Sequence, residues 1–564
     1  MDDLQRRLAV ARGDAPADLV VRGGRVFSVF TREWLAADVA IVDGVVAGLG
    51  SYVGEETVDA SGSYVVPGFV DAHLHLETPK LMVDEFARLV LPLGTTTVVA
   101  DPHEIANVLG VDGVHWLLDA TSGLQLDVYF MASSCVPASP FESPRRPLTP
   151  GDLESLMRRR RVLGLAEMMN FPGVIAGSPA ELEKLGLEGA RHVDGHAPGV
   201  LGAELQAYAA AGIRSDHEAL TVEEGRERLR AGMWLLVREA SMARNLLALL
   251  PLVEEYGPWR IAFCTDDRDP DDIADDGHVN GMVRKAVAAG IAPENALLMA
   301  SHHPALWHGL SRHGAVAPGY LADLLLLPDL VGFQPSLVLK HGRPIEEVPS
   351  VEVPEWVRQS VRIAPITPSD FAIPWSGSGT MRAIGLVEDQ VVTESLERDP
   401  VVESGLAVAS AEHDLAKIAV VERHLATGRI GLGFVSGSGL THGALASSVA
   451  HDAHNLVVVG MSDREMAAAI ERLADLGGGI VVVDGLDVVA ELALPVAGLL
   501  ADAPLAEVVE RSRACNEAAR GLGWTGATPF LTMSFLALSV IPSLKITDRG
   551  LVDVDRFEIV PLAL

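Results

Sequence analysis

From about residue 64 the chain repeats one rhythm: a short apolar run, a polar cluster, then an amphipathic stretch. Apolar runs of strand length read as strands buried on both faces, and the stretches between them as covering helices. Eight such runs lie at 65–75, 95–102, 126–133, 162–168, 192–196, 213–217, 233–238 and 260–265, with helical patterns between several of them, as at 152–160 and 221–231. Eight alternating units over about 240 residues predict an α/β fold built on a (β/α)8 barrel. Before them, residues 18–60 alternate apolar and polar positions and break at Gly23-Gly24 and Asp43-Gly44, the pattern of a β-meander. The segment from Gly314 returns to β character and is expected to complete that small sheet. The predicted domains are therefore 1–66 with 314–343 (a small β domain from both barrel flanks), 67–313 (the barrel), a Pro- and Ser-rich linker at 344–380, and a C-terminal α+β domain at 381–564. In that last domain, strands at 418–421, 456–459 and 479–483 mix with helices at 463–476 and 505–519.

Composition narrows the function classes. At 564 residues the chain exceeds a single core, and 49% hydrophobic residues mark it as globular. A formal charge of −32 argues against a nucleic-acid partner, because phosphate contacts need a basic surface. The apolar stretch 530–544 is short for a membrane span and carries Thr532, Ser534, Ser539, Pro542 and Ser543, so it reads as a buried core segment. Cys135, Cys264 and Cys515 are too few and too scattered for a disulfide framework, which fits a reducing cytoplasm. The charged, amphipathic N-terminus has no apolar segment of the secretory type.

The polar clusters carry the chemistry. The first run ends in His73-Leu-His75. On a strand, i and i+2 share a face, so the two imidazoles form half of a metal site. Later runs end in Asp101-Pro-His103-Glu104, in Glu167, in Asp194-Gly-His196, in Asp216-His217-Glu218, in Arg238-Glu239 and in Thr265-Asp266-Asp267. Barrel active sites sit at the C-terminal ends of the strands. Histidines and carboxylates recurring there predict a metal centre. Gly431-Leu-Gly433 and Gly437-Ser-Gly439 are not phosphate loops, since no Gly-Lys-Ser/Thr follows.

Longer strings carry a resemblance over nearly the whole chain: Ala100-Asp-Pro-His-Glu-Ile-Ala-Asn-Val108, Gly164-Leu-Ala-Glu-Met-Met-Asn-Phe-Pro-Gly-Val174, Asp194-Gly-His-Ala-Pro-Gly199, Ser215-Asp-His-Glu218, Thr265-Asp-Asp-Arg268 and Ala446-Ser-Ser-Val-Ala-His-Asp-Ala-His-Asn455. With them the chain resembles the adenine deaminases of the amidohydrolase superfamily. The resemblance implies two divalent metal ions, Mn(II) or Fe(II) before Zn(II). His73 and His75 would hold one with Asp266, and His196 and His217 the other. Glu167 would bridge them, in the place where many relatives use a carboxylated lysine. It implies hydrolytic deamination of free adenine to hypoxanthine and ammonia, with Asp266 as first choice of proton shuttle and Glu167 as second. Arg238 and Glu239 would contact ring nitrogens or form an ion pair at the rim. His103 and Glu104 would orient ligands. His451 and Asp452 would close over the barrel mouth, hold an extra metal or serve a domain interface. Thr78-Pro79-Lys80, Ala240 and His303 depart from the family pattern and bear on the substrate pocket rather than on the ligands. A different heterocyclic amine or cyclic amide is the alternative substrate. A non-catalytic purine-binding scaffold is the reading from another class. No membrane partner is expected, and a homo-oligomer is compatible with this type of barrel.

Overall fold

The computed structural model describes residues 2–376, 379–388 and 390–564. Each of the eight apolar runs contains a parallel strand: β1 Phe69–Leu74, β2 Thr95–Ala100, β3 Asp127–Ala132, β4 Val162–Met168, β5 Val193–Gly195, β6 Ser215–Asp216, β7 Trp234–Arg238 and β8 Ile261–Cys264. Strands β1 to β5 form one sheet in sequential order, and β6 to β8 form a second. The two sheets approach each other at both edges. Leu74 of β1 pairs in parallel with Asp266, just past β8, and Arg214 N, just before β6, donates to Val193 O of β5 at 3.3 Å. Strands β1, β2, β7 and β8 are buried at every position. This explains why β7 and β8 read as near-continuous apolar runs rather than alternating ones.

The crossovers are helical because their local signals agree with the fold. Helix Pro150–Met157 starts on a capping box between Thr149 and Asp152. Helix Val222–Arg230 is capped by Thr221, carries Glu223 and Glu224 in its first turn and Arg228 and Arg230 in its last, and so complements its own dipole.

Two local expectations differ from the structure. The run 65–75 is not one strand. Tyr64–Pro67 pairs antiparallel with Leu324–Leu327, whereas Phe69–Leu74 pairs parallel with β2. The break is at Gly68, where a Cβ would lie 2.2 Å from Thr96 Oγ1, so only glycine allows the approach. Residues 18–60 are not a simple meander either. Ala17–Arg22 pairs parallel with Gly54–Asp59. Arg25–Ser28 leaves for a six-stranded sheet that also holds Tyr64–Pro67, Leu324–Leu327 and Leu337–Lys340. The chain changes sheets at Gly23, whose φ of 78° suits glycine.

The C-terminal part is an eight-stranded sheet with Leu415–Val421 and Leu456–Gly460 near its centre and helices Asp463–Asp475 and Leu505–Gly521 packed against it. Helix Pro529–Leu536 and the residues after it fill the mouth of the parallel strands. Leu531, Phe535, Leu538 and Ile541 cluster there with Cys135, Met169 and Met242. Among the described residues no helix is long and apolar enough to cross a membrane.

Candidate metal centre

The ends of β1, β4, β5, β6 and β8 bring six side chains to one buried point. His73 lies on β1 and His75 just past it, with ring centroids 5.0 Å apart, so the i, i+2 geometry holds beyond the strand end. Glu167 of β4 sits between two histidine pairs. Its Oε1 lies 3.7 Å from His73 Nε2 and 3.5 Å from His75 Nε2. Its Oε2 lies 3.0 Å from His196 Nδ1 and 3.3 Å from His217 Nε2. Asp266 Oδ1 completes the first group, 3.1 Å from His75 Nε2 and 3.7 Å from His73 Nε2. The Asp266 backbone is left-handed, with φ 54°, and its N–H donates to His73 O at 3.0 Å. A non-glycine residue held there is a strained position, of the kind found where a side chain must be aimed.

These residues fit a divalent cation. His73 Nε2 is buried without a hydrogen-bond partner among the described residues. Its 3.7 Å distances to Glu167 and Asp266 are too long for hydrogen bonds. Ligands each about 2.0–2.2 Å from a shared ion stand about 3–3.6 Å apart, close to the spacing seen here. The His75 ring places Nδ1 3.1 Å from Asp101 O. A proton donated there leaves the Nε2 lone pair facing the carboxylates, as a ligand requires.

The electrostatics agree. Burial, reinforced by the His217 charge, pushes His73 down to about 3 and keeps it neutral. Burial alone would raise the Glu167 carboxyl, but hydrogen bonds from His196 and His217 outweigh it and hold the group well below the usual range. Asp266 is likewise held low against its burial, by His75 and by the charge of Arg238. Burial would depress His217, yet its bond to Glu167 and the charge of Asp266 raise it to about 9. The carboxylates thus demand positive charge from their surroundings, which a cation supplies.

Surrounding groups fix these side chains in place. Asp71 accepts from Thr265 Oγ1 at 2.6 Å and from Thr265 N at 3.1 Å, tying β1 to the Asp266 turn. Asp216 and Arg228 form a fully buried pair at 2.9 Å. Arg228 also donates to Ala197 O at 2.6 Å and to Val200 O at 2.8 Å, and Asp216 Oδ1 accepts from Ala197 N at 2.8 Å. Together they clamp the loop after His196.

The remaining sequence candidates divide. Arg238 lies in the site, 2.8 Å from Asp266 Oδ2 and paired with both oxygens of Glu218. Glu239 turns away to Lys285 Nζ at 3.0 Å, because successive residues at a strand end point to opposite sides. His103 lies 3.5 Å from Glu167, while Glu104 accepts from Thr78 Oγ1 at 3.0 Å. His451 and Asp452 reach across from the C-terminal domain, with Asp452 Oδ1 3.5 Å from His103 Nε2. Glu218 had no role assigned from sequence, yet it lies 3.6 Å from His196 and 3.5 Å from His217. Strand β6 ends at Asp216, so strict alternation stops and both His217 and Glu218 turn inward. Of the family departures, Thr78 also donates to Asp267 at 2.6 Å, Lys80 pairs with Asp269, and His303 faces Ile261 O at 2.9 Å.

The cavity at the site measures about 20 Å³, room for about one water. Phe535, Leu538 and Ile541 form an apolar wall in its lining.

Sequence comparisons agree with this architecture. Residues 64–345 match the model of the amidohydrolase family, and residues 390–558 match that of the adenine deaminase C-terminal domain. A protein of Carboxydothermus hydrogenoformans named adenine deaminase 2 is 45% identical over 100% of both chains. An adenine deaminase of Desulfatibacillum aliphaticivorans is 45% identical over 98% of this chain and 99% of its own. One of Brucella anthropi is 46% identical over 99% of this chain and 100% of its own. Identity that high across both matched domains, on a chain that gathers histidines and carboxylates at its strand ends, shows that the chain belongs to the adenine deaminase family of amidohydrolases.

Proposed function

We propose that this protein hydrolyses free adenine to hypoxanthine and ammonia, at a pair of divalent metal ions seated at the mouth of a closed (β/α)8 barrel. The observation that carries this reading is the position of Glu167. One carboxylate divides its two oxygens between His73 with His75 and His196 with His217. That is the arrangement a carboxylate bridging two cations needs. The two edge contacts between the parallel sheets support barrel closure. The sheet of Tyr64–Pro67 with Leu324–Leu327 supports a small domain built from both flanks, and residues 344–380 would then link it to the C-terminal domain.

His73, His75 and Asp266 would hold one ion, and His196 and His217 the other. An all-nitrogen-and-oxygen donor set suits Mn(II), Fe(II) or Zn(II). When bound, such a pair acidifies a water to near neutral pH. The chain's own residues do the rest. The Asp266 carboxylate stays ionised beside Arg238 and is placed to take a proton from the attacking water. It returns that proton to the purine ring nitrogen, and a second transfer lets the C6 amine leave as ammonia. One water is consumed and C6 exchanges nitrogen for oxygen. Arg238 locks Glu218, which faces the same cavity and can accept hydrogen bonds from the base. The wall of Phe535, Leu538 and Ile541 closes over the bound base and strengthens each polar contact by excluding water. Three buried, unpaired cysteines and an acidic surface fit a cytoplasmic enzyme acting on a small free base.

The test is ammonia release from adenine by Mn(II)-loaded protein, run beside Glu167→Gln and Asp266→Asn. The proposal expects turnover in the parent, loss of bound metal in Glu167→Gln, and at least a hundredfold lower rate with folding retained in Asp266→Asn. Absence of ammonia from a fully loaded parent would refute adenine as substrate.

A further inference from the structure

A second group of ligating atoms lies next to the proposed pair and shares none of its ligands. His103 and Glu104 open the helix His103–Leu109, directly after β2. His451 and Asp452 follow strand Ala444–Ser447 of the C-terminal sheet. His103, His451 and Asp452 each offer a ligand atom, all within 4.8 Å of one another. His103 Nε2 is 3.5 Å from Asp452 Oδ1, and His451 Nδ1 is 3.6 Å from the same oxygen and 3.7 Å from Glu104 Oε1. All four residues are at most 2% exposed. His103 Nε2, Asp452 Oδ2 and Glu104 Oε2 have no hydrogen-bond partner among the described residues. Buried polar atoms without partners are costly, and each such case asks for an explanation.

The ring of His103 separates the two groups. Its Nδ1 lies 3.1 Å from Asp101 Oδ2, and Asp101 Oδ1 accepts from Ser133 Oγ at 2.6 Å. A carboxylate on Nδ1 fixes the proton there and turns the Nε2 lone pair outward, toward Asp452. Metal-binding histidines are held in this way. The ring of His451 is set by stacking on Phe535, with centroids 4.8 Å apart and an interplanar angle of 24°, and its backbone N–H donates to Ser534 Oγ at 3.1 Å. Separations of 3.5–3.7 Å among these nitrogen and oxygen atoms match ligands around one ion better than they match hydrogen bonds.

We propose that His103, His451 and Asp452, with Glu104 beside them, bind a further divalent transition-metal ion that ties the β2 loop to the C-terminal domain. Two of these groups come from the barrel side and two from the C-terminal domain. The ion would therefore hold the apolar wall carrying Phe535 over the catalytic cavity. It acts as a fastener and not as a participant in the hydrolysis, and it does not depend on adenine being the substrate.

Metal content decides the matter. Full-length protein is loaded with Mn(II), desalted, and analysed for metal per chain beside Asp452→Asn and His451→Gln. The proposal expects each variant to bind one equivalent less than the parent while keeping the parent's circular dichroism. The difference between the proteins is the test and the total is not, so a failure of the two-ion reading leaves it interpretable. A second readout is the thermal midpoint. Limited chelation that removes one equivalent lowers it in the parent and leaves it unchanged in Asp452→Asn. Equal metal content in parent and variants overturns the proposal. An unchanged metal content with a raised KM for adenine overturns it in favour of direct contact with the base.

Discussion

Replacing Arg228 by methionine removes one partner of an ion pair in which both side chains are fully buried. The loss is larger than a surface pair would give, because Asp216 is left charged and enclosed. Breaking a buried pair from one side costs about 3–5 kcal/mol. Ala197 O and Val200 O also lose their donors, adding about 1 kcal/mol each where the carbonyls stay dry. In a domain the size of the proposed barrel, each kcal/mol moves the thermal midpoint by about 2–4 °C. Arg228→Met should therefore lower the midpoint by roughly 10–28 °C. It should also release metal, since the clamped loop carries His196. The double variant Arg228→Met/Asp216→Asn should recover part of the loss: asparagine removes the stranded charge and still accepts from Ala197 N, now 2.8 Å from Asp216 Oδ1. Differential scanning of the three proteins, with metal analysis, measures this. A fall of under about 3 °C in the single variant, or a double variant less stable than the single one, would refute the reasoning.

Other expectations follow from the same geometry. Lys545 is buried, donates to Val391 O and Phe535 O, and is pushed by burial down to about 7. An unfolded lysine titrates near about 10.4, so between the two values the unfolded chain binds more protons and stability rises with pH. The thermal midpoint of the parent should climb from pH 7 toward pH 10, and a midpoint of Lys545→Met that climbs equally would contradict this. Asp127 is held well below its usual range against burial, chiefly by Lys340 at 2.5 Å, with His313 and His341 helping. That contribution is complete above the unfolded carboxyl value of about 3.9 and fades as pH falls below it. The midpoint gap between parent and Lys340→Met should be widest near pH 7 and shrink below pH 4; a gap that stays constant with pH would count against the ion pair. Phe535→Ala removes the ring stacked on His451 and opens the cavity wall. Its KM for adenine should rise about tenfold, in line with the loss of one aromatic contact, whereas an unchanged KM would place the base elsewhere.

Much of this protein is legible in its sequence, and the reason is local. Period and length distinguish a buried strand from a helix within a few residues, so the eight apolar runs and their helical partners stood out. The His73-Leu-His75 spacing carried its geometry with it, because alternation on a strand places both rings on one face. Strand ends bearing histidine or carboxylate were visible for the same reason. Other features depended on which elements face one another. Arg238 and Glu239 are adjacent in sequence and equal in charge magnitude, yet one enters the site and the other pairs with Lys285 on the outside. Glu218 turns inward only because β6 is so short. The break at Gly68 reflects the nearness of Thr96, a residue from the neighbouring strand. The apolar stretch 530–544 was legible as buried, but nothing in its composition says that it covers the mouth of the parallel strands. The amino-acid sequence by itself determined the strands and the histidines and carboxylates at their polar ends. Only the tertiary structure decided which charges are paired in the dark and which oxygen of Glu167 faces which histidines, because burial and long-range contact belong to the packed chain and not to any segment of it.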